Sequence, residues 1–314
     1  MKRPTPLLLA LLLPLACSTE EGSQLENDAA ITDAGGNDLG AVDRGSPADT
    51  GNDLDSGPAA DAGFELDAEP TDDGVAPDSG EPPANFSFFV TSLEAMVLLS
   101  GSEDGFGGNL SYGGAAGVEG ADRICAAIAE LGMPGAGQKP WRAFLSASTG
   151  GANGGALHAI DRIGDGPWYD RNGRLVANDL AGLTSANRPA ADAQIRNDLP
   201  NERGESQRNQ PGPSPGSTAD NHDVLTGSNA SGQFQGGGAA ATCNDWTTTV
   251  ANTGRPNCGH SWPAMSGQSW IRAHPVAGCA AVVNLVQNGP GAPNCEGVGC
   301  GGGYGALYCF SLVP

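Results

Sequence analysis

Ala121-Asp122-Arg123-Ile124-Cys125-Ala126-Ala127-Ile128-Ala129-Glu130-Leu131 is the stretch on which the fold turns. Ile124, Ile128 and Leu131 recur at helical spacing, so the segment reads as an amphipathic helix with one apolar face. Asp122 falls in the first turn, where the helix dipole favours negative charge, and Gly132 and Pro134 end the run. Cys125 stands three residues before Ile128, beside the apolar face, so it points towards the core. This is the one convincing helix of the chain.

Around it the sequence reads as short strands joined by long loops. Phe86-Ser87-Phe88-Phe89-Val90 is a strand, followed by a Gly/Ser-rich loop through Gly120. Trp141-Arg142-Ala143-Phe144-Leu145, Leu175-Val176-Ala177, Val282-Val283-Asn284-Leu285-Val286 and Ala306-Leu307-Tyr308-Cys309-Phe310 read the same way. Residues 196–221, rich in Pro, Asn, Gln and Arg, read as an exposed loop. All five tryptophans and seven of the eight cysteines lie beyond Asn85, and residues 85–314 suffice for one sizeable core. With 49 glycines in the chain, the expected class is α+β with loops dominating.

The ordered series carries a resemblance. Phe89-Val90-Thr91-Ser92, Gly120-Ala121-Asp122-Arg123-Ile124-Cys125 and Trp141-Arg142-Ala143-Phe144-Leu145-Ser146 come first. Asp161-Arg162-Ile163, Gly166-Pro167-Trp168, Leu225-Thr226-Gly227-Ser228, Cys243-Asn244-Asp245-Trp246-Thr247 and Leu307-Tyr308-Cys309-Phe310 follow. In order and rough spacing these resemble the endostatin-like family, in a bacterial lipoprotein branch of unknown function, across nearly all of residues 86–312. The resemblance implies a C-type-lectin-like fold of two small sheets, a flanking helix and long loops often used for binding. It also implies a disulfide from Cys125 to Cys309. A second bridge would join Cys243 to a cysteine shortly before the last strand; spacing favours Cys300, with Cys279 a competitor. Cys258, Cys279 and Cys295 are left open to a further bridge, around a loop inserted at 287–303. Setting Cys17 aside leaves an odd number, so at least one thiol has no partner within the chain.

The N-terminus says where the protein works. Lys2 and Arg3 precede a short apolar run from Leu7 to Leu15, then Ala16 and Cys17. The run is too short for a bilayer core, which takes roughly 20 residues, and no stop-transfer segment follows. Residues 1–16 therefore read as a lipoprotein signal peptide and Cys17 as the lipidated first mature residue, although Pro14 stands where such signals usually carry Leu. Residues 17–84 follow as an acidic, disordered tether: between Ser18 and Ala84 there are 18 Asp and Glu against Arg44 alone. Its end-to-end distance is about 45 Å before charge repulsion extends it. The net charge of −21 belongs mostly to this segment, so the head is only mildly acidic and nucleic acid is excluded as a partner. The expected place is the bacterial outer membrane or cell surface, held by lipid.

No motif announces chemistry. Asp49-Thr50-Gly51, Asp55-Ser56-Gly57 and Asp78-Ser79-Gly80 match the aspartic-protease tripeptide but lack the apolar strands that hold paired carboxylates face to face. The Asp series is the nearest thing to a calcium ligand set, without EF-hand spacing, and no cofactor is expected. His158, His222, His260 and His274 are scattered beside loop residues. Cys258-Gly259-His260 could begin a zinc site, yet no second ligand pair stands at structural spacing, so no metal is assigned. Arg162, Arg171 and Arg174 lie close in sequence, but the head's negative charge opposes a heparin-like ligand. Asn244-Asp245-Trp246 has the letters of a lectin calcium motif in another order and reads as a structural turn with Trp246 in the core. The expectation is a non-enzymatic binding module for an extracellular glycan or protein. A hydrolase using His260 or His274 with loop Ser or Asp residues, and an architectural envelope protein, are the alternatives.

Overall fold

A computed structural model describes residues 85–185, 187–208, 210–262, 269–286 and 294–314. The expected signal (1–16) and tether (17–84), Cys17 included, lie outside the described residues. So do residues 287–293 of the expected insertion at 287–303.

Mixed α+β architecture is built around one long final strand. In chain order the elements are β1 (Phe88–Val90), α1 (Leu93–Ser100), α2 (Gly117–Gly132), β2 (Trp141–Ala143), β3 (Trp168–Tyr169), β4 (Leu175–Ala177) and α3 (Leu180–Thr184). Then come β5 (Asp223–Leu225), β6 (Asn257–His260), β7 (His274–Pro275) and β8 (Gly303–Ser311). All nine residues of β8 are buried. Its second half pairs antiparallel with β1 on one side and β2 on the other, with Cys309 opposite both Phe89 and Ala143. Its first half pairs parallel with β5, which continues through antiparallel β6 and β7. β3 and β4 form a separate two-stranded ribbon.

Alternation along β8 divides the core. Phe310 meets Phe88 edge-on at 4.9 Å and Trp168 at 5.5 Å between ring centres. Cys309, one residue earlier, turns to the opposite face and bonds Cys125 of α2. On that side Trp141 packs on Phe89 at 5.0 Å and on Phe86 at 5.3 Å. Such offset ring contacts add about 0.5–1.5 kcal/mol each beyond simple burial.

Several expectations change. α2 is longer than the periodicity predicts, which moves Asp122 from the first turn into the helix body. There it accepts from Ala143 N at 2.9 Å and pairs with Arg162, so its role is tertiary. Leu131 is half exposed; Ala121, Ile124, Ile128 and Ala129 make the buried stripe with Cys125. α1 occupies what reads as loop: Ser92 caps it by accepting from Ala95 N, but Leu98 on it faces solvent, so the apolar period is broken. Residues 282–286 are not a strand, and only Asn284 bridges to Gly303. Residues 196–221 are irregular but far from wholly exposed, since Leu199, Asn201, Glu202 and Gln207 are buried.

Three disulfides form: Cys125–Cys309, Cys243–Cys279 and Cys295–Cys300. Cys243 thus takes Cys279, not Cys300, because Cys300 closes a short glycine-containing loop onto its own neighbour Cys295. Among the described residues Cys258 is the free thiol, and it is buried. Disulfides of this number belong to an oxidising, exported setting. No described helix is long and apolar enough to cross a membrane.

Beside the second bridge lies an unusual turn. Cys243, Asn244, Asp245 and Trp246 have φ of 55°, 55°, 52° and 67°, four consecutive left-handed residues without a glycine. Each costs about 1–2 kcal/mol in that conformation. Three anchors hold it: the Cys279 bond, Trp246 Nε1 donating to Ser146 O at 2.8 Å, and the Asp245 carboxylate. Asp245 accepts from Ser148 N and Oγ, both at 2.7 Å, from Thr242 Oγ1 and from Thr149 Oγ1. Trp246 is fully buried, so this motif is architectural.

Candidate functional site

The polar end of the sheet gathers four side chains the sequence keeps apart. β5 and β6 pair so that Asp223 faces His260 and Leu225 faces Cys258; β6 and β7 pair so that Cys258 faces His274. Directly opposed residues share a face, and so do residues two apart on a strand. Cross-strand register therefore brings Asp223, His260 and His274 to one face. His222 enters from the residue before β5, where the β5–β8 register shifts between Asp223 and Val224. Irregularities of that kind re-aim side chains.

The geometry is convergent. The Nε2 atoms of His222, His260 and His274 each stand 3.3 Å from Asp223 Oδ1. His260 Nε2 and His274 Nε2 are 3.1 Å apart. Yet neither oxygen of Asp223 accepts a hydrogen bond along a proper line, and the residue is 1% exposed. His222 and His260 are buried, while His274 retains partial access. Burial pushes the Asp223 carboxyl up, but contacts from His260 and His274 and the charge of His222 outweigh it and hold it at about 2. Burial lowers the His260 imidazole against the pull of Asp223; for His274 the contact with Asp223 wins and raises it.

Outer contacts orient these rings. His222 Nδ1 meets Asp220 Oδ1, and His274 Nδ1 lies 3.3 Å from Pro275 O. Two glycines admit this arrangement. A Cβ on Gly302 (φ +123°) would stand 2.5 Å from Asp220 Oδ2, and one on Gly259 would stand 1.6 Å from Trp270 O. Behind the cluster sit the Cys258 thiol and the Tyr308 hydroxyl, both fully buried and both pushed well up by burial.

Four such donors can hold a metal ion, and this corrects the reading of the histidines as scattered. Only His158 stays apart, accepting from Phe234 N at 3.0 Å. Of the stretch Cys258-Gly259-His260, weighed in the sequence as a possible start of a zinc site without a metal being assigned, His260 joins the cluster, while the thiol sits behind His274, 3.5 Å from its Nδ1. The usable signal was adjacent His222-Asp223 opening an apolar pair, Val224-Leu225, with a second strand carrying His260.

A second feature lies beside it: a cleft of about 250 Å³ at the start of α1. Gln207, Gln210 and Asn221 bring amides to it, Arg203 a guanidinium, and Leu285 and Tyr304 apolar surface. Asn221 Nδ2 donates to Gln207 Oε1 at 3.3 Å, but its Oδ1 is buried without a partner. Arg203 is surrounded by Glu94, Glu202 and Glu205, so the cleft offers no free positive charge. The other arginines singled out are also committed: Arg162 to Asp122, Arg174 to Asp170, and Arg171 to Gly132 O at 2.7 Å. No family model and no curated protein matches the chain.

Proposed function

We propose that the chain is an exported lipoprotein, anchored through Cys17, whose endostatin-like, C-type-lectin-like head binds a neutral extracellular glycan in the cleft at the start of α1. The observation that carries this reading is Asn221 Oδ1, an acceptor buried at the cleft with nothing to accept. A buried acceptor left alone costs about 1–3 kcal/mol, and a ligand hydroxyl removes that cost. Sugar hydroxyls both donate and accept, which suits a wall of amides, while Leu285 and Tyr304 offer surface for C–H faces. The three carboxylates around Arg203 argue against sulfated or phosphorylated ligands. Side-by-side pairing of β1 with β8, and the bond from α2 to β8, are compatible with the lectin-like reading.

The test is a glycan array probed with the purified exported chain, followed by calorimetry on the best hit. A neutral oligosaccharide should bind, and Asn221→Leu should weaken it about tenfold or more while the thermal midpoint stays put. An array that lights only for anionic glycans, stays dark, or is indifferent to Asn221→Leu overturns the proposal.

A further inference from the structure

The geometry points to a structural, tetrahedral metal centre for Zn²⁺, ligated by His222 Nε2, Asp223 Oδ1, His260 Nε2 and His274 Nε2.

The argument begins with lengths. A tetrahedral ion with bonds of about 2.0–2.1 Å to nitrogen and carboxylate oxygen sets its donors about 3.3–3.4 Å apart. Of the six donor separations here, three are 3.3 Å and a fourth is 3.1 Å, and all four atoms lie within 4.8 Å of one another, close enough for a small shift of His222 to complete the set. The same spacing read as hydrogen bonding leaves both Asp223 oxygens without an acceptor bond in the core of the domain. Donors that stand at contact distance but do not point at each other share a point between them.

Donor chemistry then selects the ion. Three imidazoles and one carboxylate suit zinc and its neighbours, whereas calcium takes 6–8 oxygens at about 2.3–2.6 Å. Cys258 is not among the converging atoms, so the site is sulfur-free. The outer contacts match what metal-bound histidines need, since Asp220 holds the far nitrogen of His222 and the Pro275 carbonyl faces that of His274.

Occupancy explains the role. All four positions of a tetrahedral ion are taken by protein atoms, which is the closed arrangement of a structural site; a catalytic one keeps a position for water or substrate. The ligands come from β5, β6, β7 and the residue before β5, so the ion ties together three strands of only three, four and two residues. It also neutralises a carboxylate that is otherwise buried among imidazoles, a costly arrangement without compensation.

The test uses the full exported chain, purified without chelator from zinc-replete medium. Elemental analysis should find about one zinc per chain, and X-ray absorption should give four nitrogen or oxygen donors and no sulfur. Cobalt exchanged for zinc should give the intense visible bands of a tetrahedral ion. His274→Ala should lose the metal, and Asp220→Asn should weaken affinity about 10–100-fold by freeing the far side of His222. Should His274→Ala fail to fold, titration of the wild-type chain with a strong chelator reads the same question as a fall in thermal midpoint. A folded, zinc-free protein whose midpoint ignores both zinc and chelator overturns the inference. So does a sulfur donor in the first shell, or full zinc binding by a folded His274→Ala.

Discussion

The two halves of β8 are held in opposite ways. Towards its end, Phe310 and Cys309 are flanked by Phe88, Phe89, Trp141 and Trp168, and a disulfide runs to α2. Towards its start, β5, β6, β7 and the residue before β5 present a buried carboxylate, three imidazoles and a buried thiol. The first half is stable by apolar burial and one covalent bond. The second buries charge, and buried charge stabilises only when its partners meet it with good geometry. The start of the sheet thus carries its charge inside the same apolar cluster that includes Val224, Leu225 and Trp270, and the ion proposed above would compensate that charge.

The largest expected effect lies at the apolar end. Cys125 and Cys309 are separated by 184 residues, and closing so long a loop is worth roughly 5 kcal/mol in the chain-entropy model. Cys125→Ser with Cys309→Ser should lower the thermal midpoint by about 10–20 °C for a head of this size. Calorimetry in parallel with zinc analysis sharpens the contrast, because the double variant should keep its metal. Simultaneous loss of zinc would mean that the two halves are one unit.

Chelation comes next. An ion present at 1,000 times its dissociation constant contributes about 4 kcal/mol, so stripping it should cost about 8–16 °C. Loss should fall on β5–β7 first: hydrogen exchange should speed at Leu225 and Cys258 while amides of β1 and β2 stay protected. Uniform deprotection across the sheet would break the comparison.

Single substitutions separate the halves by kind. Ile128→Val trims a packed residue of α2 and should cost about 1 kcal/mol, with zinc retained. Asp223→Asn changes almost no volume yet removes the negative ligand, and should reduce zinc to a small fraction of one per chain. Equal zinc content in the two variants would contradict the assignment of Asp223.

Legibility followed the same divide. The helix of Ile124, Cys125 and Ile128 and the strand ending in Phe310 are written in local apolar spacing, so their elements stand in the sequence. β5, β6 and β7 have three, four and two residues, too short for a period to show. Asp223, His260 and His274 meet only through register, which is a property of pairing and not of any one segment. Cys243 choosing Cys279 over Cys300 belongs to the same class, decided by where the turns place the sulfurs. The Asn221 acceptor was hidden because residues 196–221 are polar in composition, while some of their polar groups are buried by contacts with Ser92, which caps α1, and with Tyr304 of β8.

The smallest effect is the most selective. Cys258 is fully buried between Asp223 and His274, donating to His274 O at 3.2 Å, and burial raises its pKa well above that of an ordinary thiol. It should therefore resist alkylation in the folded, zinc-loaded protein, since the thiolate is the reactive form and neither access nor ionisation is available. Cys258→Ala should cost on the order of 1 kcal/mol or less and leave zinc content unchanged. After chelation the thiol should label at the rate at which β5–β7 open, well before Cys125 and Cys309 become reducible. Mass spectrometry of timed alkylation reads that order directly. Labelling of Cys258 that tracks global unfolding instead would place the polar end inside the same cooperative unit as the aromatic one, and the ion would then be reinforcing a core already complete without it.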